Sequence, residues 1–308
     1  MDGRPGAALR AMPWVFVLIW STGFVVARFA MPHAPPLRFL SLRYAGSIVC
    51  FAVWIAVARP RWPRDAAQFG HLAVVGVLVH AGYLGGVWAA VKGGLGAGTV
   101  ALLVGLQPLL TALWLTGRGA AAGSDGAAGA APGVTPRQWC GLALGLAGVL
   151  LVVWRKLGGG EMTAWNFGLA MLALLAITIG TLYQKRHIAP CDVRTANLVQ
   201  LAAALVVTLP LAWLEREPVA FHPQLVGALA WSVLALTLGG SSLLYLLIQR
   251  GAATEVTSLM YLVPPCTAAM AWLLFGEVFT LAMLGGLLLT AAGVWLVTSK
   301  PGVAGHGR

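Results

Sequence analysis

Arg43, His80, Gln107 and Glu255 are polar or ionisable side chains set inside stretches otherwise made of Ala, Leu, Val and Gly. If those stretches cross a bilayer, a central charge costs about 2.5–3.5 kcal/mol on insertion scales, so each such group needs a partner, water or a task. Arg43 has a planar five-donor fork that suits an anionic substrate group or a gate partner. The alternative is an arginine that snorkels to the interface or bonds backbone carbonyls. Glu255 is a candidate for proton coupling, although a carboxylate at the start of an apolar run is also favoured by a helix dipole. His80 is the second proton-coupling candidate, against the commoner role of a hydrogen-bonded packing group. Glu277, at the end of an apolar run, reads as a structural end residue.

A wider set of polar and aromatic side chains could line a solute path. It comprises Trp20, Ser21, Thr22, Arg43, His80, Tyr83, Trp88 and Gln107 in the first half, and Thr178, Thr181, Ser241, Ser242, Tyr245, Ser258 and Tyr261 in the second. Any single Ser or Thr can instead bond only its own helix backbone. Pro108 and Pro265 each remove a backbone donor in mid-run, and the resulting kinks read either as hinges or as static shape. Enzyme chemistry lacks its residues. There is no DxxD pair for metal and pyrophosphate, no HExxH, and the histidines are scattered, so neither a metal nor a cofactor is expected. The run Gly94-Leu95-Gly96-Ala97-Gly98 lacks the lysine-serine of a P-loop, which leaves gradients rather than ATP as the energy source. A channel is disfavoured because no filter-like segment or ring of charges stands out.

The elements that must hold these groups are apolar runs. Hydrophobic residues make up 59% of the chain and charged ones 9%, against about 25% charged in soluble domains, so a water-facing surface cannot be built and the bilayer must be the solvent. Ten runs fit helices that cross a core about 30 Å thick: 12–30, 38–58, 70–91, 97–117, 137–154, 166–184, 194–214, 225–248, 252–274 and 280–298. They are continuous rather than alternating, which excludes a strand barrel. Arg4 and Arg10 precede the first run as in a secretory signal, but no small-x-small site follows it before Pro32, so the run reads as a retained helix. Cys50, Cys140, Cys191 and Cys266 have no CxxC spacing and read as small packing residues.

The second five runs repeat the first five. At an offset of 157 residues Gly94 and Pro108 correspond to Gly251 and Pro265, and Arg43 to Gln200; at an offset of 145, Gly141, Gly148 and Val149 correspond to Gly286, Gly293 and Val294. The Ala/Gly-rich linker 118–136 takes up the difference. An odd number of helices per copy makes the copies inverted. The predicted units are 12–154, with that linker, and 166–298. Charge placement agrees: Arg59-Pro60-Arg61-Trp62-Pro63-Arg64 is basic and predicted inside, while its counterpart Glu215-Arg216-Glu217-Pro218 is acidic and predicted outside. Thirteen Lys and Arg on the inner segments against six on the outer ones place both termini in the cytoplasm. The net charge of +11 is thus a topology signal, and nucleic acid is not an expected partner.

Trp20-Ser21-Thr22-Gly23-Phe24, Pro36 with Arg43, Pro264-Pro265 and Phe275-Gly276-Glu277, in this order over ten runs, resemble the signatures of the EamA-type drug/metabolite transporters. One departure is that Gly117 is followed by Arg118, where the family often has Gly-Glu after the fourth helix. The resemblance implies an all-α carrier of two inverted five-helix repeats in a bacterial cytoplasmic membrane. Helices one, three, four, six, eight and nine would surround a central cavity. It also implies export of small metabolites, amino acids or drug-like solutes by alternating access, with no cofactor. The partners are then a small-molecule substrate and the lipid bilayer.

Overall fold

The structure, a computed structural model, describes residues 7–63, 65–111, 114, 135–157, 161–243, 260–278 and 280–298. These residues form helices and connecting turns, with no strand among them. In chain order the helices are α1 (Ala7–Ala30), α2 (Pro36–Ala58), α3 (Ala66–Lys92), α4 (Ala97–Thr111), α5 (Pro136–Leu157), α6 (Ala164–His187), α7 (Val193–Trp213), α8 (Pro223–Leu243), α9 (Val263–Phe275, preceded by a 3₁₀ turn Met260–Leu262) and α10 (Leu281–Thr298). Among the described residues, α1, α2, α3, α6, α7 and α8 are long and apolar enough to cross a bilayer; α4, α5, α9 and α10 have shorter apolar segments.

Several helices outrun the apolar stretches that announce them, because their ends are capped. Asp65 accepts from the Ala67 N–H at 3.0 Å and starts α3 four residues before its apolar run. Thr163 and Asn166 form a reciprocal capping box on α6. Asp192 caps α7, and its hydrogen bond from Arg194 holds the carboxyl below the usual carboxylate range. At the other extreme, the described part of the ninth span becomes α-helical only at Val263, two residues before Pro265; residues 252–259 lie outside the described set.

Two helices change their winding midway. Val77–Leu84 of α3 and Ser232–Gly239 of α8 are π-wound, with ordinary α-helix on both sides. Winding with i→i+5 bonds is found mostly as short insertions at functional sites. The fourth helix breaks at Gly105–Leu106 and resumes at Gln107, so that Pro108 sits in the first turn of the second piece. Pro265 likewise sits in the first turn of α9. In that turn a proline's missing N–H costs little.

Between the first five helices and the last five, α2 packs on α7, α4 on α9 and α5 on α10; further contacts join α3 to α6 and α7, α8 to α1 and α2, α1 to α9, and α4 to α6. Glycines permit the closest approaches. A Cβ on Gly148 of α5 would stand 2.6 Å from the Gly286 carbonyl of α10, and one on Gly76 of α3 would collide with the backbone of Gln200 in α7. Large apolar side chains such as Trp154 and Leu281 project outward, 80% and 87% exposed, as a lipid-facing surface requires.

Candidate functional site: a cavity between broken helices

A cavity lies where α1, α3, α4, α6, α9 and α10 converge, with walls that include Trp20, Phe24, Tyr83, Gln107, Pro108, Ile177, Pro264, Pro265 and Thr290. Its volume of about 90 Å³ is room for on the order of three waters at their liquid share of about 30 Å³ each. The break in α4 and the start of α9 meet here: a Cβ on Gly105 would lie 3.0 Å from the Pro264 ring. Backbone irregularity at membrane depth is tolerated where it is buried in protein or lines a cavity, and this place meets both conditions.

The polar side chains fall into three groups. Trp20, Tyr83 and Gln107 form part of the wall, and the Gln107 amide donates to Thr181 Oγ1 at 3.2 Å, which sets Thr181 directly behind it. A second group is absorbed by its own helices or by packing. Ser21 donates to the Val17 carbonyl at 2.7 Å, Thr178 to Leu174 at 2.7 Å and Ser242 to Leu238 at 2.6 Å. Thr22 donates to Ile19 and accepts from the Trp231 indole at 2.9 Å. Ser241 reaches the Asn197 side chain at 3.4 Å, and Trp88 is fully buried, stacked on Phe39 with centroids 4.3 Å apart. Tyr245, Glu255 and Ser258 lie outside the described residues, and the Tyr261 backbone belongs to the turn before α9.

Arg43 and His80 make the third group, beside the π-wound segments. Arg43 begins about 10 Å along α2 from Pro36 at 1.5 Å per residue, and only 7% of it is exposed. It does not snorkel. Its Nε and Nη2 donate to Thr237 Oγ1 at 3.3 and 3.2 Å, and Thr237 in turn donates to the Ser232 carbonyl five residues back. Tyr44, next along α2, donates to the His80 carbonyl at 2.7 Å. The backbone of Gln200 in α7 packs against Gly76, one turn before His80 on α3. No carboxylate pairs with Arg43 among the described residues.

One end of the helices is tied across by a polar clasp. The Glu215 carboxylate accepts from the Leu37 and Arg38 backbone N–H groups, each at 2.9 Å, at the start of α2. Arg38 donates to the carbonyls of Ala212, Glu215 and Glu217, and Lys92 pairs with Glu217 while donating to the Met31 carbonyl. Glu277 accepts from the Ala97 N–H at 3.1 Å and so caps α4, the structural part expected of an end residue. His33 and His222 stack at this end, 4.5 Å apart.

The residues that spacing alone did not single out are Thr237 and Tyr44, the Phe24 and Ile177 walls, and the face of α10 with Leu287, Thr290 and Val294. Apolar wall residues carry no signal against an apolar background. Thr237 did carry one, since it follows His80 by 157 residues.

Among the described residues, a helical bundle with an apolar outer surface, an internal cavity and a helix broken at its wall fits the class of polytopic membrane transport proteins. Residues 12–118 and 164–299 match the EamA-like transporter family, and the chain belongs to that family. It is similar to a probable amino-acid metabolite efflux pump of Salmonella typhimurium, 24% identical, over 91% of either chain. It is also similar to the uncharacterized inner membrane transporter YedA of Escherichia coli, 24% identical, over 93% of this chain and 92% of that one. The uncharacterized transporter YvbV of Bacillus subtilis is 24% identical over 92% and 89%. A solved crystal structure covers 95% of this chain and 97% of its own with a TM-score of 0.59 at 17% identity, a likeness of fold. The protein is a multi-pass cell-membrane transporter of small solutes, not an enzyme.

Proposed function

We propose that this transporter is a secondary carrier that exports amino acids, amphipathic metabolites or drug-like solutes by alternating access. In this reading two inverted five-helix repeats, 12–154 and 166–298, rock about the cavity with both termini in the cytoplasm. The observation that carries it is the exchange pattern of helix contacts. If each helix in the first half is swapped for its counterpart five places on, α3–α6 becomes α8–α1, α3–α7 becomes α8–α2, and α1–α9 becomes α6–α4, while α2–α7, α4–α9 and α5–α10 map onto themselves. Such exchange is what a two-fold axis in the membrane plane requires, and it lets each half take the other's conformation.

The cavity group Trp20, Tyr83, Gln107 and Thr181 is the cargo site in this scheme, Pro108 and Pro265 are its hinges, and Glu255 with His80 supplies proton coupling. The clasp of Glu215, Arg38, Lys92 and Glu217 then lies on the external side and holds that side shut. Export as the direction draws on the relatives named as efflux pumps. The test is flux into proteoliposomes: saturation with counterflow by an unlabelled solute identifies a carrier, unsaturable flux a channel, and chemical alteration of the solute an enzyme.

A further inference from the structure

A proline has no N–H, so the carbonyl four residues before it loses its helical partner. For Pro108 that carbonyl belongs to Val104, and for Pro265 to Tyr261. The 157-residue offset carries the one pair onto the other. The N–H three residues on does not replace the lost one, since Gln107 makes no such bond to Val104 and position 264 is also proline. Gly105 is passed over as well. Leu106 donates back to Leu103 and Leu110 to Leu106, and no backbone N–H reaches the Gly105 carbonyl among the described residues.

The carbonyls of a helix point toward its C-terminus, and for Ala97–Val104 that end is the break at the cavity wall. Val104, Gly105 and Gln107 all line the cavity, and Val104 is buried. A buried carbonyl without an N–H takes water or a ligand. Gln107 adds a third oxygen. The Thr181 hydroxyl gives its proton to the Ile177 and Thr178 carbonyls and so can only accept from Gln107, which turns the amide NH2 toward Thr181 and leaves Oε1 on the other side. Thr290, buried in the same wall, holds a further hydroxyl without a partner among the described residues. The wall is rich in acceptors. The start of α9 pulls the other way, since a helix N-terminus favours an anion, but Pro264 and Pro265 remove two of the N–H groups that would bind one.

We infer that this break is a cation site for the ammonium group of an amphipathic cargo. The Val104 and Gly105 carbonyls and Gln107 Oε1 accept its N–H groups, and the rings of Trp20, Phe24 and Tyr83 take its apolar part. Half-helix ends and unwound carbonyls are where secondary carriers hold cations, and aromatic faces add attraction for a desolvated organic one. The assignment rests on the carrier reading above and narrows its cargo.

The test is tryptophan-fluorescence titration of the purified full-length protein, at neutral pH and low salt, with benzylammonium, benzyltrimethylammonium, benzyl alcohol and benzoate. Benzylammonium binds most tightly. Benzyltrimethylammonium keeps the charge but has no N–H, and it binds at least about fivefold more weakly, as do the alcohol and the acid. Pro108→Ala supplies the missing N–H to Val104, and Gln107→Leu removes an oxygen. Each weakens benzylammonium by about fivefold or more and the alcohol by less than about twofold, whereas general damage to the cavity weakens both alike. Equal affinity for amine and alcohol, or for the two ammonium ions, would overturn the assignment. So would equal losses for amine and alcohol in the variants, an unchanged amine affinity in Pro108→Ala, or no saturable amine binding. Displacement of benzylammonium by sodium or potassium chloride at lower concentration than by methylammonium chloride would give the site to an alkali ion instead and refute it as a cargo site. Counterflow in proteoliposomes separates the assignment from the carrier reading. Exchange of benzoate but not of benzylammonium leaves a carrier and refutes the ammonium site, whereas amine binding that Pro108→Ala weakens, with no counterflow of any probe, refutes the carrier and leaves the site.

Discussion

Replacing Glu215 by Gln should open the clasped end of the protein, external in the proposed topology, to solvent. The carboxylate takes two backbone N–H bonds at the start of α2, at 2.9 Å each, from a loop that belongs to the other half of the chain. Hydrogen bonds to a charged group contribute about 1.5–3 kcal/mol each, and Gln retains one neutral acceptor, so the loss is about the worth of one such bond. Glu215 is half-buried, and solvent screening reduces this to about 1–1.5 kcal/mol. If the clasp breaks whenever that end opens, the closed state loses that amount and the open population rises about five- to tenfold at 1.4 kcal/mol per decade. The assay is the rate at which an impermeant maleimide labels Ile177→Cys, a cavity-wall position, in intact cells carrying a variant without Cys50, Cys140, Cys191 and Cys266. A rate unchanged within about twofold, in protein that retains its thermal stability, would refute the clasp as a gate.

Cysteines placed in 215–217 should react with an impermeant thiol reagent in intact cells, and cysteines in 59–64 should not; labelling of the basic loop overturns the inverted arrangement. Glu255→Gln, which mimics the protonated acid, should abolish uphill transport driven by a pH gradient while preserving energy-independent exchange, and His80→Asn should have a smaller effect. Uphill transport that survives Glu255→Gln points to a different coupling site or to a facilitator. Gly148→Leu should separate α5 from α10, because even the first added carbon meets the Gly286 carbonyl at 2.6 Å and the Thr290 hydroxyl at 2.6 Å. The expected result is a melting temperature in detergent lowered by about 2–4 °C per kcal/mol lost, and an unchanged melting curve would show that this pair gives way without cost.

Which parts of this site could be seen in the residues follows from contrast. Trp20, Tyr83 and Gln107 were visible because polar and large aromatic groups are rare against Ala, Leu and Val, and the structure places all three in the cavity wall. The same contrast selected Trp88, which stacks on Phe39 inside the fold, since a bulky ring marks burial as readily as recognition. Ser21 and Thr178 show the other weakness: a hydroxyl on a membrane helix can satisfy itself four residues back, and nothing in the residue type says when it will. Pro108 and Pro265 announced irregular backbone because each lacks a donor. The actual break in α4 lies just upstream, at Gly105–Leu106, since a proline is best accommodated in the first turn of the piece that follows. The π winding of α3 and α8 left no trace in composition; in the structure Gln200 packs against Gly76 at the start of the α3 segment and Arg43 bonds Thr237 within the α8 segment. The partner of Arg43 nevertheless fits the repeat offset. Arg43 of α2 bonds Thr237 of α8, and the offset of 157 residues carries this pair to Gln200 of α7 and back to His80 of α3, where Gln200 packs one turn away against Gly76. If the two halves are repeats, as proposed, the sequence holds tertiary information that composition and periodicity lack: every contact proposed in one half names a contact to look for in the other.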